Sequence, residues 1–187
     1  MATQTLVKKR APISLQSARK RQVLLVCDFG PFLPTFLLSL YDRMNDTDVT
    51  LVRRKYGSLS SSRLRIIQIP LTTRLGLPGK GSTLRDIVNA LAYLVVGSVV
   101  SVIAAVRYRC TIVHSHFLFP QGLVGLIASY FSRSALVVTA VGSDVNAYGR
   151  YALVRGVIKI LARRGTIVSI SLPIKSELSS MGVESVY

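Results

Sequence analysis

The stretch from Cys110 to Asp144 constrains the fold of this 187-residue chain more than any other. It holds two short apolar runs, CTIVHSHF (Cys110 to Phe117) and ALVVTAVGSD (Ala135 to Asp144), each ending in polar groups. Between them lies LVGLIASYF (Leu123 to Phe131), patterned as a helix and opened by Pro120-Gln121-Gly122. The outer runs are too uniformly apolar for half-exposed strands and too short for helices. Strand, helix and strand in this order make a βαβ unit, and hence a parallel sheet covered on its faces. Ligands of such sheets sit beyond the carboxyl ends of the strands, where His116 and Asp144 are expected to emerge. A small-molecule site is therefore predicted at that edge.

The remaining chain fits the same pattern. QVLLVCDF (Gln22 to Phe29) reads as strand one, followed by the turn Gly30-Pro31-Phe32-Leu33-Pro34 and a helical run from Thr35 to Met44. DVTLVRRK (Asp48 to Lys55) and LRIIQIPL (Leu64 to Leu71) read as strands two and three, separated by the serine-rich Ser58 to Ser62. The glycine- and proline-rich Leu75 to Gly81 is a connecting loop. After strand five come a helix from Tyr148 to Arg164, a short strand TIVSIS (Thr166 to Ser171) and a helix from Pro173 to Met181, where Pro173 suits a first turn. The closing residues Gly182 to Tyr187 read as the approach to a further strand.

One segment competes for a different assignment. Ile87 to Val106 carries no charge over a length sufficient to cross about 30 Å of hydrocarbon. Asn89, Tyr93, Gly97 and Ser101 recur every four residues and form a smaller, more polar stripe on it. A helix clamped against a sheet, or lying on a membrane surface, carries such a stripe; a true span is the alternative, and the position suits a crossover helix.

Half of the residues are hydrophobic, enough for one domain with a sizeable core. Lys and Arg number 24 against 8 acids, a formal charge of +16 that favours an anionic partner: nucleotide phosphates, lipid headgroups or nucleic acid. Residues 1–21 form a basic arm, expected to be disordered, without the apolar core and cleavage site of a secretory signal; an organelle-targeting segment is the other reading. Cys27 and Cys110 fall in apolar strands and read as reduced core residues.

The candidate chemistry gathers at strand ends. His114, His116 and Cys110 share strand parity, which raises zinc, but no CxxC or HxxxH spacing supplies the remaining ligands, so no metal is expected. His114 lies deeper and reads as a hydrogen-bonded core residue, leaving His116 as the catalytic candidate. Gly142-Ser143-Asp144 follows strand five and precedes Asn146: glycine admits a ligand close to the backbone, and Ser143 or Asp144 can cap the next helix. Gly30 could present backbone N–H groups to a phosphate, although no GxGxxG is present. Arg150, Arg155, Lys159, Arg163 and Arg164 make one helix basic, either as a solvated face or as a membrane or phosphate patch.

VHSHFLFPQG (Val113 to Gly122), VVTAVGSDVN (Val137 to Asn146) and IVSISLPIKSEL (Ile167 to Leu178) occur in an order that resembles the N-terminal domain of retaining GT-B glycosyltransferases. The resemblance runs from about Gln22 to the end. It implies a Rossmann-like three-layer α/β domain with a mostly parallel sheet, one half of a GT-B fold. It matches His116 to a histidine near the reacting sugar and Gly142, Ser143 and Asp144 to a His-Gly-Ser-Asp turn, with Val141 in place of that turn's histidine. Gly30-Pro31-Phe32-Leu33-Pro34 stands where the family has a double-glycine loop. Ser171 and Lys175 fall in a segment near the interdomain linker. The donor domain with its paired glutamates would follow Tyr187.

On this reading the chain is the acceptor-side half of a glycosyltransferase at the cytoplasmic membrane face, inactive alone. It passes a sugar from a nucleotide-sugar donor to a saccharide or lipid-linked acceptor, uses no cofactor and needs a donor domain in cis or in trans. His116 would orient the acceptor or the sugar. Gly142, Ser143, Asp144 and Asn146 would shape the pocket, with Gly30 and Phe32 near the diphosphate. The basic helices would meet anionic lipid. The alternatives are a non-catalytic module binding a polyanion or membrane, and half of a nucleotide-sugar epimerase. Nucleic acid fits poorly, because no strand interleaves aromatic and basic residues.

Overall fold

The computed structural model describes residues 20–28, 41, 43–55, 64–71, 84–147 and 149–187. Six strands form one sheet: β1 Arg21–Val26, β2 Thr47–Arg54, β3 Leu64–Ile69, β4 Ile112–His116, β5 Ala135–Ala140 and β6 Thr166–Ser169. The order is β3-β2-β1-β4-β5-β6 and every pairing is parallel. This is a doubly wound, Rossmann-like α/β sheet whose strand order reverses between β1 and β4. The helices are α1 Leu84–Arg107, α2 Gln121–Ser132, α3 Ser143–Asn146, α4 Ala152–Arg164 and α5 Leu172–Ser180.

Strand alternation sorts the core into two clusters. Leu24, Val26, Val52, Ile69, Val113, Leu136, Val138 and Ile167 face one side. There they meet Tyr93, Ala104 and Ala105 of α1, Val124 and Ala128 of α2, and Val154, Ile158 and Leu161 of α4. Each fully buried aliphatic side chain contributes about 1.5–3 kcal/mol. Val23, Leu25, Cys27, Val49, Leu51 and Leu64 face the other side, covered among the described residues by Tyr41. The helix α2 lies so close to β4 that a Cβ added at Gly125 would run into Ser115 Oγ.

Several expected boundaries move. The predicted helix at Tyr148 to Arg164 starts at Ala152, because Gly149 turns the chain by donating its N–H to the Val145 carbonyl at 2.9 Å and Tyr151 is extended. Arg21, assigned above to the arm, opens β1 opposite Thr47. Cys110 does not join the histidine face. The left-handed turn at Arg109 (φ 51) breaks strand alternation before β4 begins, and the thiol packs in the helix-side cluster, where burial pushes its pKa up to about 11. At the far end Val186 makes an isolated parallel bridge to Val168. Residues 1–19, the run from Thr35 to Arg43 apart from Tyr41 and Arg43, and the Ser58 to Ser62 and Leu75 to Gly81 loops lie outside the described residues.

Candidate functional site at the sheet switch point

Where the strand order reverses, β1 and β4 lie side by side with Val26 opposite Ser115, so Cys27 and His116 follow as neighbours at the carboxyl edge. His116 reaches that edge yet is only 3% exposed, so it does not stand out into solvent as expected. The chain doubles over the strand end through a left-handed Phe117 (φ 75), whose N–H donates to the Thr139 carbonyl. The His116 ring lies 4.5 Å from that of His114. Burial, and then the neighbouring His114, lower the His116 pKa to about 3.

His114 is the hydrogen-bonded histidine anticipated from sequence. Its Nδ1 meets Tyr41 Oη and its Nε2 meets Thr139 Oγ1, each at 2.8 Å. Burial lowers its pKa to about 4 and holds the Tyr41 hydroxyl above the ordinary tyrosine range. Both rings are therefore neutral at physiological pH. Both ring nitrogens of His114 are engaged by neutral hydroxyls, those of Tyr41 and Thr139, and neither histidine carries a positive charge.

The turn after β5 is built around Asp144, which is fully buried. Its carboxylate accepts from the amides of Leu118 (2.7 Å), Gly142 (2.8 Å) and Val141 (3.1 Å). It thus ties the loop after β4 to the loop after β5. Burial pushes its carboxyl pKa up, while these amides pull the other way. Neither Ser143 nor Asp144 caps a helix. Gly142 occupies the cap position with φ 120, a conformation that only glycine adopts without strain. Asp144 is consequently a structural clamp, whereas Ser143 and Asn146 are exposed on the one-turn α3. Ser171 has a structural role of its own, as the cap whose Oγ accepts from the Ile174 amide at 3.5 Å.

Sequence reasoning passed over a charged pair at the same edge. Asp28, just past β1, and Arg54, at the end of β2, form a buried ion pair, with the Arg54 guanidinium 5.9 Å from the Tyr93 ring. Arg53 is 2% exposed, and its Nε donates to the Arg54 carbonyl. The signal was present, since an acid and two arginines interrupt apolar strands exactly at their carboxyl ends. Gly30 and Phe32 lie outside the described residues. Among the described residues no three His, Cys, Asp or Glu side chains gather as a metal site.

Solved structures share this architecture. Sucrose-phosphate synthase from Thermosynechococcus elongatus superposes with a TM-score of 0.66 at 12% identity, over 90% of this chain and 47% of that one. The fold is that of one GT-B half. A putative UDP-N-acetylglucosamine 2-epimerase from Listeria monocytogenes matches with a TM-score of 0.56 at 14% identity, over 88% and 43% of the two chains. The UDP-GlcNAc 2-epimerase from Methanocaldococcus jannaschii gives 0.53 at 9%, over 87% and 43%. The chain thus spans about half the length of the structures it matches. No protein-family model and no curated protein sequence matches it.

Proposed function

We propose that this chain is the acceptor-side half of a nucleotide-sugar-dependent glycosyltransferase, working at the cytoplasmic face of a membrane. The observation that carries the reading is the neutral, buried His116, beside the internally hydrogen-bonded His114, at the β1–β4 switch point of a GT-B-like half domain. A sugar is a neutral polyol, and an uncharged imidazole suits a hydroxyl of the acceptor or of the transferred sugar. With its pKa near 3, His116 orients hydroxyls and does not deliver a proton at neutral pH. Gly142 forms the turn of the proposed pocket wall, with Ser143 and Asn146 as further polar contacts, while Asp144 holds that wall in place. Gly30 and Phe32 are assigned to the diphosphate side. The donor is bound chiefly by a second domain, supplied in cis or in trans, and no cofactor takes part.

The test is an amide and imidazole NMR titration of the isolated chain with saccharide and glycolipid headgroup acceptors, followed by incubation with nucleotide sugars. Shifts at His116 and Gly142 with acceptors, and no turnover of donor, are expected. Turnover by the isolated chain would refute the division of labour. A second reading, half of a UDP-sugar epimerase, is favoured by the two epimerase folds. Shifts caused by UDP-sugar alone, with none caused by acceptors, would select it.

A further inference from the structure

The helix α1 is apolar on both sides: Leu94, Val96, Val100 and Val102 pack against the core, and a second aliphatic row faces away from it. Its buried side carries Ala90, Tyr93, Gly97, Ser98, Ser101, Ala104 and Ala105, which includes most of its polar stripe. Its outward side carries Val88, Leu91, Val95, Val99, Ile103 and Val106, each between 53% and 65% exposed. These six recur at three- and four-residue steps, so they form one continuous aliphatic ridge about 27 Å long. Beside it, Phe131 and Ile127 of α2 join Val99, Val102 and Ile103 around an apolar groove of about 250 Å³. Tyr130 and Phe131 are 71% and 64% exposed. A ridge of this extent is costly to leave in water and marks an interaction surface.

The charges around it identify the occupant. On the other side of α2, in the same layer, α4 presents Arg155, Lys159, Arg163 and Arg164 and no acid. At the end of α1, Arg107 and Arg109 line a cavity of about 430 Å³ with Lys20, Arg21 and Arg65, against the single acid Asp48. A second copy of so basic a chain would bring like charges together, whereas an anionic bilayer matches both the ridge and its rim.

We infer that α1 lies in the plane of an anionic lipid bilayer, its Val88 to Val106 ridge sunk into the acyl boundary and the basic residues of α4 and of the α1 terminus on the headgroups. The helix cannot also cross that bilayer, because its opposite side is committed to the sheet. This inference stands without the glycosyl-transfer reading, and its readout is vesicle binding and not turnover.

The chain contains no tryptophan, so Val95→Trp places a single reporter on the ridge. With vesicles of phosphatidylcholine and phosphatidylglycerol its emission should move to the blue and be quenched by brominated acyl chains; an unshifted, unquenched emission overturns the inference. In sedimentation the wild-type chain should prefer these vesicles to phosphatidylcholine alone. Val95→Glu with Val99→Glu, on exposed positions, should weaken binding at least about tenfold, and Lys159→Glu with Arg163→Glu should weaken it in a salt-dependent way, roughly fivefold per charge. Binding unchanged by the valine substitutions would also overturn it. So would a dimer that those substitutions split while vesicles stay unbound, which would assign the ridge to a second copy.

Discussion

Helices α1 and α4 sit in the same layer, on the same face of the same sheet, and obey opposite rules. The helix α4 buries Val154, Ile158 and Leu161 and turns Arg155, Lys159 and Arg163 outward, as a helix between core and water should. The helix α1 buries Ala90, Tyr93, Gly97, Ala104 and Ala105, packs Leu94, Val96, Val100 and Val102 half-buried against the core, and still turns Val88, Leu91, Val95, Val99, Ile103 and Val106 outward. The difference shows that packing against a sheet fixes one side of a helix and leaves the composition of its other side free. A Cβ at Gly97 would meet Ile69 at 3.5 Å and Val124 at 3.6 Å, ordinary contact distances that leave room for a methyl group and not for a large side chain. The six exposed aliphatic residues of α1 are then left for something outside the domain.

The comparison can be broken most decisively at α4. Ile158 is fully buried, and Ile158→Ala should cost about 2–5 kcal/mol in a denaturant titration; a loss no larger than that of a surface substitution would mean that α4 does not anchor the layer.

The pH dependence should belong to the sheet and not to either helix. His114 and His116 are held neutral with folded pKa values near 4 and 3, below the ordinary value of 6.5. The unfolded chain therefore takes up protons first. Stability is complete above about pH 6.5 and falls as pH drops toward 4, by about 1.4 kcal/mol per pH unit for each histidine. Asp144, pushed the other way by burial, opposes this trend. Melting temperatures of the wild type and of His114→Gln with His116→Gln should diverge in slope across that range; equal slopes would remove the histidines from the account.

On α1 itself, Gly97→Leu overpacks the buried side and should cost about 1–3 kcal/mol, whereas a neutral result would show that the close approach is not needed. The smallest effect sharpens the contrast most. Val95→Ser on the ridge should change stability by no more than about 0.5 kcal/mol, while the same denaturant titration would report a core-like loss if the ridge were covered within the domain.

Much of the fold was legible because buried parallel strands leave a plain trace: short, uniformly apolar runs separated by helical patterns. All six strands were found this way, with errors confined to their ends, where a turn such as that at Arg109 depends on a single backbone conformation. The candidate site was legible as a place and less so as chemistry. The sequence placed His116 at the carboxyl end of a strand with His114 deeper in it, and the sheet order of the structure made that edge the switch point. That Asp144 clamps two loops, and that Asp28 pairs with Arg54, depends on residues 26 positions apart in sequence. No local pattern reports such a meeting.

The sequence by itself thus determined the α/β class, the βαβ crossover and the long apolar helix, since each follows from the periodicity of hydrophobic residues along the chain. Only the tertiary structure decided which side of that helix faces water, which carboxylate binds backbone amides and which histidine is shielded from solvent. Those outcomes depend on how closely separate elements approach one another, and that distance is set by the shapes of side chains brought together from remote parts of the chain.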